Sequence, residues 1–93
     1  MDRRIDLETL RLLVGAAESG SLSSAAGVLG ISQPAASARI REFETRWQLN
    51  VLRRSSRGSR LTSDGEVVVA WARAVLHSAH TMHASRAALA ASP

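Results

Sequence analysis

Two glycines, Gly20 and Gly30, each follow a segment in which apolar residues recur at helical spacing. Glycine commonly ends helices because it adopts the left-handed conformation without strain. We therefore predict a first helix from the N-cap Asp6 to about Ser19 and a second, short helix that starts near residues 21–23. Two short helices separated by tight turns indicate a small, mainly α domain.

A third helix is predicted after the second glycine. Ser32 is a suitable N-cap, and Pro34 is tolerated in the first turn, where its missing N–H would have no intrahelical partner. One buried stripe is formed at i, i+4, i+7 and i+11 by Ala36, Ile40, Phe43 and Trp47. The side chains turned away from this stripe include Pro34, Ser37, Ala38 and Arg41. A helix, a short helix, a turn and a helix with a polar and basic face are typical of a helix-turn-helix that places its last helix in the major groove of DNA.

Positive charge is concentrated in one segment. The net charge of the chain is +4, whereas residues 39–60 carry seven arginines against two glutamates, a net +5. Such a cluster attracts a polyanion and releases counterions on contact. Every cation of the chain is an arginine, which suits bidentate contact with phosphate or guanine, but a GC-rich coding sequence explains the choice equally well. The position of the charges therefore carries the argument for nucleic acid.

Composition excludes several classes of protein. With 93 residues and 3% aromatic residues, the chain forms one domain with a thin aliphatic core, and such domains often gain stability from a second chain. The absence of cysteine excludes disulfides and a Cys-based zinc site. No run of about 18 apolar residues is present, so we predict no membrane span, no signal peptide and a cytoplasmic, nucleoid-associated location.

The helical period is lost over residues 49–61. Val51, Leu52 and Leu61 flank a stretch rich in arginine, serine and glycine, which favours two short strands around a turn with Arg57 at or near its tip. Such a wing reaches a neighbouring groove or phosphate. A flexible basic linker is the alternative.

The last predicted helix is long. Thr62 is its N-cap, and Asp64 and Glu66 stand in its first turn, where the helix dipole favours anions. A 3-4 alternation continues along the helix through Val68, Trp71, Val75, Ser78, Met82, Ser85 and Leu89. This stripe predicts that two copies of the helix pair in a dimer, chiefly through Val68, Trp71, Val75, Ser78 and Met82. The serines in the stripe argue against a strong coiled coil.

Three segments resemble the LysR family of bacterial transcriptional regulators. Residues 32–47, SQPAASARIREFETRW, are similar to the family's recognition helix. Upstream, LETLRLLVGAAESGSLSSAAGVLGIS resembles its first two helices, and downstream, VLRRSSRGSRLTSDGE resembles its wing and the start of its linker helix. The resemblance implies a mainly α fold: a winged helix-turn-helix of three helices and a two-stranded wing over residues 1–61, then a linker and dimerisation helix over residues 62–93.

The same resemblance implies a function. Members of the family bind interrupted inverted repeats in double-stranded DNA as homo-oligomers, and we expect a homodimer here. They sense a small metabolite through a C-terminal domain that we expect to lie outside this chain. No cofactor is implied.

The resemblance also implies contacts to DNA from two helices and the wing. The residues are Ser23 of the second helix, Ser32, Gln33, Pro34 and Ser37 of the third, and the wing arginines Arg54 and Arg57. Arg39 and Arg41 flank the same face, and we expect at least one of them to bind phosphate. The alternative for either is a pair with a nearby glutamate, as Arg41 and Glu44 would form at i+3. Three positions depart from the family pattern. Ala38 replaces a frequent arginine, Leu52 replaces the usual phenylalanine of the wing, and Gln48 replaces a common glycine at a left-handed turn, where it carries strain.

Other functions have less support. His77, His80 and His83 drift round the last helix, so a metal site is disfavoured. No nucleophile elbow or glycine-rich phosphate loop is present, and we predict no enzymatic activity. The competing hypothesis is a protein-interaction module that keeps the winged-helix scaffold and binds a partner through its last helix. The basic face at Arg39 and Arg41 argues against it, because such a module would have no reason to keep that face basic.

Overall fold

The computed structural model describes residues 4–56 and 58–91. It confirms the mainly α fold with a two-stranded wing. The elements, in chain order, are α1 (Leu7–Ser19), α2 (Leu22–Leu29), α3 (Gln33–Trp47), β1 (Leu52–Ser55), β2 (Gly58–Leu61) and α4 (Ser63–Ala91). The prediction for Arg57 lies outside the described residues.

The helix ends follow the predicted signals. Asp6, Ser21 and Ser32 cap α1, α2 and α3, and each side chain accepts a hydrogen bond from a backbone N–H of the first turn. At the other end of α3, Gln48 adopts the left-handed conformation with φ 55°. This confirms the left-handed turn expected at that position, a conformation that is unfavourable for a residue other than glycine.

The core lies where α1 meets the other helices. Leu12 and Leu13 of α1 are fully buried, and the predicted stripe of α3 joins them through Ala36, Ile40 and Phe43. Trp47, half-buried, stacks on Phe43 with ring centroids 5.5 Å apart. The second and third helices therefore sit at a fixed angle on α1, which sets the position of the exposed face of α3.

The wing is an antiparallel hairpin, and the flexible-linker alternative is excluded. Leu52 lies opposite Leu61, and Ser55 lies opposite Gly58. Leu52 is buried and Leu61 packs against the core, so one face of the hairpin is fixed to the domain. The other face carries exposed polar side chains.

Helix α4 has 29 residues and is about 43 Å long at 1.5 Å per residue. Its first half packs against α1, whereas every residue from 80 to 91 is exposed. The prediction that Val68 lies on the outward stripe is wrong: the residue is 4% exposed and belongs to the core of its own chain. Val67, one position earlier, is exposed instead. Within the described part of the chain, no helix combines the length and apolar character needed to cross a membrane.

Candidate nucleic-acid interface

The exposed start of α3 lies directly after the turn that follows α2. Ser32 accepts a hydrogen bond at Oγ from the Ala35 N–H at 3.2 Å, which leaves Gln33 and Pro34 on the surface of the first turn. Ser23 is exposed near the start of α2. The structure thus exposes Ser23 of α2 and the predicted residues at the start of α3.

Ser37 corrects the sequence prediction. The sequence predicts Ser37 on the outward face of α3, but only 7% of the residue is exposed. The Gln33 side chain donates from Nε2 to its Oγ at 3.3 Å, and the Arg54 side chain lies over its carbonyl. The hydroxyl therefore orients the amide of Gln33 in the free chain through an i, i+4 contact within α3. The contact from Arg54 comes from the wing, and helical spacing does not predict it.

Arg39 and Arg41 have different surroundings. The Arg39 guanidinium lies 2.8 Å from the carboxylate of Glu8 and 3.2 Å from that of Asp6, both at the start of α1. Arg41 is exposed, and the described residues offer it no ion pair. Arg39 therefore pairs with carboxylates of its own chain, whereas the guanidinium of Arg41 stays accessible to a phosphate.

Glu44 does not pair with Arg41. Its Oε2 accepts hydrogen bonds from the backbone N–H groups of Val51 and Leu52, at 2.9 and 3.3 Å. Its Oε1 lies 4.0 Å from Nη1 of Arg54, whose Nη2 donates to the Ser37 carbonyl at 3.5 Å. Arg54 is thus tethered to α3 from the wing while a third of its side chain stays exposed.

Arg53 and Arg60 are cationic residues that the sequence analysis did not single out. They are directly opposite each other in the hairpin and both are exposed. The alternation of side chains along a strand would have found them, because it places Leu52 and Arg54 on one face and Arg53 on the other. Like charges in this position repel each other, and an anion between them relieves the repulsion.

A separate exposed stripe runs along α4. Trp71 is 57% exposed and Met82 76%, Ser78 is also exposed, and Val75 is half-buried. Beside Trp71 lies an apolar pocket of about 90 Å³ between α1, α3 and α4. Across the part of the chain that the structure describes, no three histidine, aspartate or glutamate side chains gather where a metal ion could be held.

Comparison with known proteins is consistent with this geometry. Residues 7–66 match the model of the bacterial regulatory helix-turn-helix proteins of the lysR family. An uncharacterized HTH-type transcriptional regulator of Mycobacterium tuberculosis is 36% identical over 83 residues, which are 89% of this chain and 27% of that protein. The transcriptional regulator GltR of Bacillus subtilis is 31% identical over 91% of this chain and 28% of its own length. The chain thus spans about a quarter of the length of these relatives.

Solved structures with bound DNA are similar over nearly the whole chain. The BenM DBD in complex with catB site 1 DNA superposes with a TM-score of 0.88 at 28% identity, over 96% of this chain and all of that one. The CbnR DBD in its complex with DNA gives a TM-score of 0.80 at 30% identity, over 91% of this chain and 99% of the other.

Proposed function

The chain belongs to the lysR family of bacterial regulatory helix-turn-helix proteins, and we propose that it recognises an interrupted inverted repeat in double-stranded DNA as a homodimer. In this proposal α3 of each protomer enters a major groove and the wing lies alongside it. Residues 1–61 bind DNA, and residues 62–93 link and dimerise. The bacterial chromosome as target implies a cytoplasmic location, and the chain acts by binding without catalysing a reaction.

The observation that carries the proposal is the exposed first turn of α3. Gln33 and Pro34 are exposed there, and a glutamine amide pairs bidentately with adenine in the major groove. Arg41 lies two turns further along the same helix with its charge exposed. A side chain that reads a base and a nearby cation that binds phosphate are the two kinds of contact that a specific DNA reader needs.

Roles for the other predicted residues follow from their surroundings. Ser23 and Ser32 are exposed at the starts of α2 and α3, where backbone N–H groups favour phosphate. Arg54 reaches DNA only with the part of its guanidinium that α3 leaves exposed. Arg57 stays a predicted phosphate or minor-groove contact, joined by Arg53 and Arg60 on the exposed face of the wing.

Dimerisation is proposed through the exposed stripe of α4. Trp71 and Met82 present large apolar surfaces to water on a helix whose residues 80–91 are all exposed. A second copy of α4 would cover both, and the apolar pocket beside Trp71 gives room for one of its side chains. The paired helices would then set the distance between the two copies of α3.

The experiment is selection from a randomised duplex library at physiological salt, followed by a salt titration on the enriched sequence. We expect an inverted repeat, with affinity that falls steeply as salt rises. Recovery of a single, unrepeated half-site would contradict the proposed dimer but would still support sequence-specific DNA binding. If no sequence were enriched, the recognition function would fail, and a protein partner for α4 would be sought.

A further inference from the structure

Residues 50–52, which we call the joint, contact three elements that must cooperate on DNA. The joint connects α3 to β1, and the start of α4 folds back against it. Val51 is fully buried at its centre. Besides the packing of α3 and α4 on α1, this short piece of backbone therefore connects the recognition helix, the wing and the long helix directly.

The recognition helix holds the joint through Glu44. Its Oε2 accepts from two successive backbone N–H groups, those of Val51 and Leu52. Only 13% of the Glu44 side chain is exposed, so water competes weakly for this carboxylate. Hydrogen bonds from two neighbouring amides to one oxygen fix both the place and the direction of the chain as it leaves α3.

The long helix holds the joint through Thr62. The Thr62 N–H donates to the Val51 carbonyl at 3.0 Å, and the Thr62 hydroxyl donates to the Asn50 carbonyl. The same hydroxyl accepts from the Gly65 N–H at 2.9 Å and thereby caps α4. A Cβ on Gly65 would lie 2.1 Å from the Val51 carbonyl oxygen, so the first turn of α4 rests directly on the backbone of the joint.

We infer that the joint sets the angle between α3 and α4 and thereby selects the spacing of the two DNA half-sites, with Glu44 and Thr62 as positioning residues. The inference rests on the proposed dimer through α4. Each added base pair moves a half-site by about 3.4 Å and turns it by about 35°. If the connection between α3 and α4 were loose, the dimer would bind repeats with different spacers about equally well. A connection held from both sides lowers the affinity for every spacer but one.

The test uses the whole 93-residue chain and duplexes that carry the selected half-site as an inverted repeat, with the spacer changed in single base-pair steps. Thr62→Val removes the hydroxyl while keeping the shape of the side chain, and Thr62→Ser restores the hydroxyl. We expect the wild-type chain and Thr62→Ser to prefer one spacer. We expect the preference of Thr62→Val for that spacer to fall about fivefold or more, because the hydroxyl makes two hydrogen bonds and the loss of one corresponds to about fivefold. Binding to a duplex with a single half-site should be the same for all three.

Glu44→Gln tests the contact between α3 and the joint. It also provides the test if Thr62→Val does not fold, which circular dichroism would show. Glu42→Gln is its matched control, since Glu42 lies on the same helix with 72% of its side chain exposed. Glu44→Gln should broaden the spacer preference, and Glu42→Gln should not. A wild-type chain without any spacer preference would overturn the proposed dimer and the inference together. A sharp preference that folded Thr62→Val and Glu44→Gln both retain would overturn the inference alone.

Discussion

Arg39 and Glu8 form an ion pair across two helices, with 2.8 Å between the guanidinium Nη1 and the carboxylate Oε2. The Asp6 carboxylate that caps α1 lies 3.2 Å from the same nitrogen. The positive charge in the middle of α3 is therefore directed towards the start of α1. Arg41, only two positions later, is exposed and has no such partner among the described residues.

Arg39→Ala should consequently affect mainly the stability of the fold, and Arg41→Ala mainly the affinity for DNA. Arg39→Ala should lower the free energy of unfolding by at most about 1 kcal/mol, because the pair is more than a third exposed and solvent screens it. Its effect on DNA affinity should be small. Arg41→Ala should weaken binding to all sequences and reduce the slope of log affinity against log salt by about 1. Denaturant titration and binding at several salt concentrations measure both. A larger loss of affinity from Arg39→Ala than from Arg41→Ala would contradict this division.

Gln33→Ala should relax specificity at one base position. A bidentate glutamine–adenine pair contributes about 1–3 kcal/mol of discrimination, and alanine offers no such pair. Arg57→Ala, by contrast, should weaken binding uniformly because a wing arginine contacts phosphate or the minor groove. Competition between duplexes that differ at single positions separates the two effects. If both variants lost affinity equally for all duplexes, Gln33 would not be a base-recognition residue.

The sequence predicts the local features well and misses those that depend on contacts between distant segments. The caps at Asp6 and Ser32 follow from residue types and neighbours along the chain, and the left-handed Gln48 follows from the family resemblance; the structure has all three. Ser37 is buried, and Arg54, from the wing, donates to its carbonyl at 3.5 Å. The pairing of Arg39 with α1 is equally nonlocal, since 33 positions separate Arg39 from Asp6. Helical spacing shows neither contact, so it identified the face of α3 but not which of its cations are exposed.

Gly65→Ala and Gly27→Ala form a matched pair, because both glycines lie within helices. A Cβ at Gly65 would meet the Val51 carbonyl oxygen, and backbone cannot give way cheaply. A Cβ at Gly27 would meet nothing within 4 Å. We expect Gly65→Ala to lower the free energy of unfolding by about 1–3 kcal/mol and Gly27→Ala to raise it by about 0.5–1 kcal/mol. Urea titration at one fixed protein concentration measures both, and equal stabilisation would show that α4 does not rest on Val51.

Gln48→Gly should stabilise the chain. Gln48 has φ 55°, a conformation that costs most residues other than glycine about 1–2 kcal/mol. Glycine removes this strain but loses more conformational entropy on folding, so the net gain should be about 1 kcal/mol or less. The free energy of unfolding from denaturant titration gives the value. A loss of stability would mean that Gln48 makes compensating contacts through its side chain.

Met82→Glu should dissociate the proposed dimer, whereas His80→Glu should leave it intact. Both side chains are exposed in the free chain, but the two positions are about 200° apart around the helix, and only Met82 lies on the apolar stripe with Trp71. A carboxylate on that stripe would lose water on pairing without gaining a partner, so the dissociation constant should rise about tenfold or more, which corresponds to about 1.4 kcal/mol. Sedimentation equilibrium at several concentrations measures it. If both variants weakened the dimer equally, the cause would be a general effect of charge. If neither variant weakened it, the dimer interface would not lie on this face of α4.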